Sequence, residues 1–161
     1  MSRAKLAILG GLIIFLGIAL NSSLFTVRVT EQVLVRQFGE VKRTVQDPGL
    51  HLKVPFLQDI LAYDNRVLSV DPPAEEMLLS DQKRIFVDAF ARYRITDPLK
   101  FFQTVNDEVI FGNRFGNILT STVKEFVAQR SLEDLLSDKR DDIMQSIRDS
   151  VANDTENFGI E

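Results

Sequence analysis

The chain has 161 residues with 19 basic and 23 acidic side chains, and it contains no cysteine. This length suits one domain plus a short extension, and the lack of cysteine excludes disulfides, thiolate nucleophiles and Cys-based metal sites. The formal net charge is −4, and no cluster of Lys and Arg is interleaved with aromatic residues, which argues against a nucleic-acid partner.

The N-terminal segment has the pattern of a membrane anchor. Arg3 and Lys5 precede an uncharged run over residues 6–25. As a helix rising about 1.5 Å per residue, this run spans about 30 Å, the thickness of a bilayer core. The alternative is a cleaved signal peptide, but a small-x-small cleavage site is poorly formed around residues 19–21. We therefore expect a cytoplasmic segment 1–5, a transmembrane anchor 6–25 and, by the positive-inside bias, an exported domain 26–161.

The segment that follows predicts a β-hairpin. Residues 32–38 are rich in β-branched and aromatic side chains, Gly39 and Glu40 interrupt the run, and residues 41–45 resume an extended pattern.

A second turn and a third strand come next. Pro48 presets φ near −65° and Gly49 accepts a positive φ, which together favour a type II turn over residues 47–50. Apolar and mixed positions then alternate over residues 50–56, as in a strand with one apolar face. That apolar face consists of Leu50, Leu52, Val54 and Phe56.

The motifs of this region resemble a known family. F-G-x-V at residues 38–41 and P-G-L-H-x-K-x-P-F at residues 48–56 are similar to the opening of the stomatin/prohibitin/flotillin (SPFH, or Band 7) domain, and the similarity continues over residues 80–102. Within that superfamily, the short basic N-terminus and anchor resemble the bacterial HflK/HflC branch. The residues that carry the motif are Gly39, Pro48, Gly49, His51, Pro55 and Phe56.

The middle of the chain predicts another hairpin, with arms at residues 77–79 and 85–95 and a polar loop at residues 80–83. On the long arm, one face carries Ile85, Val87, Ala89, Ala91, Tyr93 and Ile95, and we expect it to join the core. The other face mixes Phe86 and Phe90 with charges. We expect a helix to pack against these phenylalanines, with Asp88 near Arg92 or near a neighbouring chain.

The second half of the chain predicts helices. Asp97 and Pro98 form a helix start, residues 111–128 are amphipathic, and Ser131 and Ser137 are placed to cap two further helices. The expected helical stripes contain Phe111, Phe115, Ile118, Thr122, Phe126, Ile143, Ile147 and Val151. Strands followed by helices indicate an α+β fold with an antiparallel-rich sheet and helices packed on one of its faces. The helical residues expected to cover that face are Ile118, Phe126, Ile143 and Ile147.

The chain ends where Ile160 is expected to begin another strand. The resemblance implies that this strand and a long Ala- and Glu-rich helix would follow, so the SPFH domain is expected to be incomplete here.

The candidates for catalysis are weak. His51 has no spacing to a nucleophile or to a second metal ligand. Ser80 and Lys83 match an S-x-x-K pattern, but they fall in a hairpin loop instead of at a buried helix start. Without a Gly-rich loop between a strand and a helix, phosphate or dinucleotide binding has no support. We predict no catalytic, cofactor-binding or metal residues.

The resemblance implies a membrane scaffold of the bacterial inner membrane that associates with HflK and regulates the membrane AAA protease FtsH. A lipid-organising stomatin-like module and a membrane-bound serine protease using Ser80 and Lys83 are the alternatives. Residues 24–56 carry five basic and three acidic side chains, against twelve and twenty in residues 57–161. A mildly cationic, apolar segment suits an anionic lipid surface, so we predict that Val54, Phe56 and Leu57 contact the membrane. The competing prediction places Phe56 in the core beside Leu50 and Leu52.

Overall fold

The computed structural model describes residue 17 and residues 21–161 of the chain. The chain divides into two compact units, Met1–Asn65 and Arg66–Glu161. Among the described residues, no helix is both long and apolar enough to cross a membrane. Most of the predicted anchor, residues 6–25, lies outside the described residues, and its last two residues belong to the first strand.

The described part of the first unit contains two small antiparallel sheets. Strand β1 pairs with β4, while β2 lies between β3 and β5. The inner faces of these strands bury one apolar cluster, which contains Phe25, Val27, Val33, Val35 and Val45. The strands are β1 Leu24–Val27, β2 Glu31–Gln37, β3 Glu40–Val45, β4 Gly49–Leu52 and β5 Gln58–Asp64.

The first predicted hairpin is confirmed as β2 and β3. Gln37 pairs with Glu40 across the turn, so the loop has two residues, Phe38 and Gly39. Their φ angles are 53° and 87°, and a positive φ at both central positions is the signature of a type I′ turn, whose twist matches the flanking strands. Gly39 adopts this geometry without a steric penalty, whereas Phe38 adopts it with one because it has a Cβ.

The second predicted turn is only partly right. Gly49 has the expected positive φ, but at 140° it lies far from the roughly 80° of a type II turn, and the residue begins β4. The third strand is also shorter than predicted, because it ends at Leu52 and residues 55–57 form a turn. The alternation over residues 50–56 therefore reflects a strand followed by a turn.

The described part of the second unit contains two strand pairs. Strand β6 pairs with β9 and β7 pairs with β8, both antiparallel, and β7–β8 is the second predicted hairpin. Side chains alternate between exposed and covered over residues 84–95, so the face from Ile85 to Ile95 points inward as predicted, but only Tyr93 and Ile95 are fully buried. The predicted long arm is broken into β8 and β9, which belong to different sheets. The strands are β6 Leu68–Val70, β7 Glu75–Leu78, β8 Arg84–Val87 and β9 Ala91–Tyr93.

The helices follow the strands, as predicted. Asp97 accepts a hydrogen bond from the Lys100 N–H at the start of the first helix, and Ser131 caps the third in a capping box with Asp134. Ser137 caps the fourth helix as predicted, because its Oγ accepts a hydrogen bond from the Lys139 N–H at 3.4 Å, although the helix assignment gives the N-cap position to Asp138, which makes no side-chain cap bond. The helices are α1 Pro98–Thr104, α2 Glu108–Ala128, α3 Leu132–Leu136 and α4 Lys139–Thr155.

The buried stripe of α4 is the predicted one, but that of α2 is partly shifted. Ile143, Ile147 and Val151 are buried on α4. On α2, Ile118 and Phe126 are only half-buried, and the neighbouring Leu119, Val123 and Val127 are buried together with Phe111, Phe115 and Thr122. The ring of Phe111 lies 4.8 Å from that of Tyr93 and 5.2 Å from that of Phe101, which joins α2 to β9 and α1.

The end of the chain returns to the strands. Ile160 forms an antiparallel bridge with Ile95, which confirms that a strand pairing begins there. Gly159 precedes it with a φ of 71°.

Candidate membrane-contact surface

His51 has structural contacts. Its Nε2 atom lies 2.9 Å from the carbonyl oxygen of Asp47, and its ring centroid lies 5.8 Å from that of Phe25, its partner in the β1–β4 register. These contacts hold the inner face of β4 against β1. Within the described residues, no group of His, Asp and Glu side chains is arranged to hold a metal ion.

The Ser80 and Lys83 pattern lacks the geometry of a Ser–Lys acyl enzyme. The Lys83 ammonium lies 3.0 Å from the carboxylate of Asp81, and this contact lowers the pKa of Asp81. A Ser–Lys acyl enzyme needs the lysine amine directed at the serine hydroxyl, whereas the Lys83 side chain contacts the carboxylate of Asp81. The loop therefore holds an exposed ion pair instead of an activated nucleophile.

The feature that distinguishes the first unit is a set of exposed apolar side chains, which we call the apolar end. They are between 45% and 82% exposed, although most monomeric proteins keep such large apolar patches covered. The apolar end consists of Leu24, Phe38, Leu50, Leu52, Val54, Phe56 and Leu57.

Strand pairing places three members of the apolar end on one face. Leu24 lies opposite Leu52, and Leu50 lies opposite Thr26. Successive side chains of a strand point to opposite faces, and Phe25 of β1 is buried. These leucines therefore form the outer face of the β1–β4 pair.

Two exposed phenylalanines extend this surface at one end of the three-stranded sheet. Gln37, the last residue of β2, pairs with Gln58, the first residue of β5, so the turns that hold Phe38 and Phe56 lie at the same end. Phe56 has a φ of 66° and Phe38 a φ of 53°. Since a positive φ is costly for a residue with a Cβ, observed cases cluster at functional sites.

Hydrogen bonds fix the turn that presents Phe56. The Val54 N–H donates to Oε1 of Gln58 at 2.9 Å, and the Gln58 N–H donates back to the Val54 carbonyl at 3.0 Å. The Lys53 N–H donates to the Ser23 carbonyl at 2.7 Å, and the Arg43 guanidinium donates to the Leu52 carbonyl. These bonds tie the turn to the start of β5, and they tie the end of β4 to β3 and to the residue before β1.

The cations of this unit are mostly neutralised locally. Arg28 pairs with Glu31, Arg36 with Asp59 and Lys42 with Glu40, at 3.4, 3.1 and 2.9 Å. Lys53 forms no ion pair with another described residue, and it stands between Leu52 and Val54 of the apolar end. Attraction to anionic lipid is therefore weaker than the charge count suggests.

The predicted site residues fall into two groups. Val54, Phe56 and Leu57 are all exposed, and the competing prediction that Phe56 joins the core beside Leu50 and Leu52 is wrong, because all three are exposed. Gly39 and Pro55 lie in two turns of this unit, and Gly49 begins β4. The predicted membrane-contact residues did not include Leu24, Phe38, Leu50 or Leu52, which are also exposed. Phe38 could have been recognised as a large apolar residue in a hairpin loop.

The chain matches the family described as SPFH domain / Band 7 over residues 25–161. It belongs to this family. The α+β arrangement of antiparallel strands followed by helices agrees with the expectation for this domain.

Three relatives in the family are HflC proteins. One from Treponema pallidum (strain Nichols) is 28% identical over 74% of this chain and 36% of its own length. The "Modulator of FtsH protease HflC" of Escherichia coli (strain K12) is 26% identical over 87% of this chain and 44% of its own length. The HflC of Buchnera aphidicola from Acyrthosiphon pisum is 27% identical over 91% of this chain and 49% of its own length. The chain thus spans less than half of each of these relatives.

Proposed function

We propose that this SPFH domain belongs to a membrane-anchored scaffold of the HflC type. In this proposal it sits in the bacterial inner membrane with its N-terminus in the cytoplasm and the SPFH domain outside. Together with an HflK-like partner it modulates a membrane AAA protease of the FtsH type. The protein has no catalytic role of its own and acts by binding lipid and protein.

Two lines of support come from the relatives and from the sequence. HflC proteins align over most of this chain, and one of them is named a modulator of FtsH protease. The uncharged run over residues 6–25, preceded by Arg3 and Lys5, suits a single crossing with the N-terminus inside.

The apolar end is the observation that carries the proposal. Leu24, at the start of β1, is part of it and lies at the end of the predicted crossing, so this end of the unit would lie close to the bilayer. Fully burying one Leu or Phe side chain contributes about 1.5–3 kcal/mol. Several side chains inserted together would hold the first unit against the membrane.

A lipid-organising module of the stomatin kind is the second candidate, because the apolar end would serve it equally well. The two differ in whether a protease is needed for the effect. Lipid ordering by the purified chain in protein-free vesicles would favour the second candidate. A membrane-bound serine protease is disfavoured by the Asp81–Lys83 ion pair.

The experiment compares turnover of a membrane AAA protease substrate in cells with and without the gene for this chain. We expect its half-life to change several-fold on deletion, and a tagged chain to copurify the protease and an HflK-like protein. Phe56→Ser with Leu57→Ser should weaken the effect, whereas Thr44→Ser, exposed on β3, should not. Unchanged turnover together with no copurified protease would contradict the proposal.

A further inference from the structure

The basic side chains of the first unit divide into two groups. The described part of this unit contains five of them, and three form ion pairs with carboxylates. Arg43 and Lys53 form no ion pair with another described residue. These two cations also meet in the fold, because the Arg43 guanidinium donates to the carbonyl of Leu52, the residue before Lys53.

Lys53 is held at the rim of the apolar end. Its N–H donates to the Ser23 carbonyl at 2.7 Å, which extends the β1–β4 pairing by one residue beyond Leu24 and Leu52. Its side chain is half-buried, and its two neighbours in the chain, Leu52 and Val54, are exposed. The ammonium therefore stands between exposed apolar side chains without a paired carboxylate.

Arg43 reaches the same place from β3. Its guanidinium carries five N–H groups, and the contact with the Leu52 carbonyl occupies one of them and orients the group. The side chain is exposed, and the guanidinium makes no other hydrogen bond with a described residue. Donors thus remain on Arg43 for a ligand beside Lys53.

Two adjacent cations with free donors suit a phosphate group. The planar guanidinium can bind two phosphate oxygens through parallel N–H bonds, and the lysine ammonium adds a point charge. The stem of a lysine can lie along apolar surface while its ammonium reaches the polar layer. A phospholipid has this order of groups, with a phosphate next to its acyl chains, whereas inorganic phosphate offers nothing to the exposed apolar neighbours.

We propose, on the basis of the membrane contact in the proposed function, that Arg43 and Lys53 bind the phosphate of an anionic phospholipid at the rim of the apolar end. The site selects anionic from zwitterionic lipids. A zwitterionic headgroup brings an ammonium close to its phosphate, and two cations without a carboxylate repel that ammonium. An anionic headgroup has no such cation.

A second exposed aromatic surface, in the second unit, lacks these features. Phe86 is 79% exposed and Phe90 is 67% exposed. The expected helix does not cover these rings, so that prediction is wrong. Asp88 lies between them in the chain and forms no ion pair with Arg92 or with another described residue, so the expected intrachain pair is also absent. A carboxylate without a paired cation repels an anionic headgroup, so this surface does not suit such a lipid.

A single tryptophan can report the lipid beside the phosphate site, because the chain has no tryptophan of its own. Thr26→Trp places it on the outer face of β1, where Thr26 is exposed and pairs with Leu50. The full chain with this change is reconstituted in vesicles of phosphatidylglycerol and phosphatidylcholine in equal parts, with bromine on the acyl chains of one lipid at a time. The two quenching curves give the affinity for phosphatidylglycerol relative to phosphatidylcholine, and we expect a ratio several-fold above one.

Charge-removing variants of this reporter test the two cations. Arg43→Gln and Lys53→Gln should each lower the ratio about fivefold, the effect of losing one cation near an anionic surface. Lys42→Gln is the matched control, because it removes the same charge one residue from Arg43, from a lysine already paired with Glu40 at 2.9 Å. It should leave the ratio nearly unchanged. An equal decrease in all three variants would show general attraction and overturn the phosphate site.

The choice of variants guards against unfolding. A glutamine at position 43 keeps an amide N–H for the Leu52 carbonyl, and circular dichroism in the same vesicles checks the fold. If Arg43→Gln unfolds the chain, Lys53→Gln decides the test, because the Lys53 side chain makes no hydrogen bond with a described residue.

The quenching also separates failure of the phosphate site from failure of the proposed function. Absence of quenching by either lipid would contradict the membrane contact and the phosphate site together. Equal quenching by the two lipids would keep the membrane contact and overturn the phosphate site. Inorganic phosphate, compared with sodium chloride at the same ionic strength, should not change the ratio. A ratio that falls to one in phosphate but not in chloride would show that the site binds free phosphate instead of lipid.

Discussion

Leu24 and Leu52 lie directly opposite each other in the β1–β4 pair, and both are exposed. Their position contrasts with that of Phe25 and His51, the next pair in the register, whose rings are 5.8 Å apart on the inner face. One β-ribbon thus has an inner face that completes the core and an outer apolar face that begins at the end of the predicted membrane crossing.

The first prediction concerns Phe38, which occupies a type I′ turn position that favours Asn followed by Gly. Phe38→Asn should relieve the positive-φ strain and raise the free energy of unfolding by about 1 kcal/mol. It should also weaken lipid contact, because the exposed ring is lost. Thermal unfolding and vesicle association of the full chain check the two effects, with Thr44→Asn on the neighbouring β3 as control. Lower stability would contradict the turn assignment.

The second prediction separates two kinds of glycine. At Gly159 an added Cβ would lie 2.7 Å from the carbonyl oxygen of Asp97, and φ is 71°. Gly159→Ala should therefore cost about 3 kcal/mol through strain and a steric clash.

At Gly49 an added Cβ meets nothing within 4 Å, although φ is 140°. Gly49→Val should cost about 1–3 kcal/mol through backbone strain alone. Chemical denaturation of each variant measures both costs. If Gly159→Ala is as stable as the parent, the Ile160 strand pairing is not anchored as described.

The third prediction concerns the pH dependence of α3. Two contacts lower the pKa of Asp134 to about 2. The hydrogen bond from the Lys139 ammonium has the larger effect, and the hydrogen bonds from Ser131 have the smaller one. Because this value lies below the usual Asp pKa of about 3.9, the charged carboxylate contributes its full stabilisation of the fold above about pH 3.9. The contribution is then lost as the pH falls through about 2.

Asp134→Asn measures this contribution. The melting temperature of the variant should lie below that of the parent at pH 6, and the difference should shrink towards pH 2. Asp154→Asn, exposed on α4, is the control and should show a smaller difference at pH 6. A difference for Asp134→Asn that does not depend on pH would contradict the assigned role of the carboxylate.

The fourth prediction is the topology of the chain. Because Arg3 and Lys5 precede the uncharged run and Arg28 is the nearest basic residue after it, the domain should be exported. Alkaline phosphatase fused after Glu161 should be active in cells, and β-galactosidase fused at the same place should not. The reverse result would invert the orientation.

Local sequence signals predicted most of the elements but fewer of the contacts. The hairpins, the cap at Asp97 and the stripe of Ile143, Ile147 and Val151 depend on residues close in the chain, and they were predicted correctly. The α2 face was shifted because period alone does not distinguish Ile118 from Leu119 when both are apolar. Packing decides between them.

The candidate surface was harder to predict because packing between distant residues decides which side of a strand is buried. Alternating apolar residues over 50–56 indicate one face of a strand, but the pattern does not say whether that face meets the core or the outside. In this chain β1 supplies Phe25 and Val27 to the inner face, which turns Leu50 and Leu52 outward. That depends on which strand pairs with β4.

The most direct test of the central claim measures the depth of Phe56 in the bilayer. The full chain carrying Phe56→Cys, labelled with an environment-sensitive fluorophore, is reconstituted in vesicles that contain brominated lipids. Leu57→Cys is measured beside it, and Thr44→Cys on β3 is the control. We expect blue-shifted emission and strong quenching at positions 56 and 57, and neither at position 44. Emission at position 56 that matches an aqueous probe and is not quenched would contradict the membrane-contact role of the apolar end.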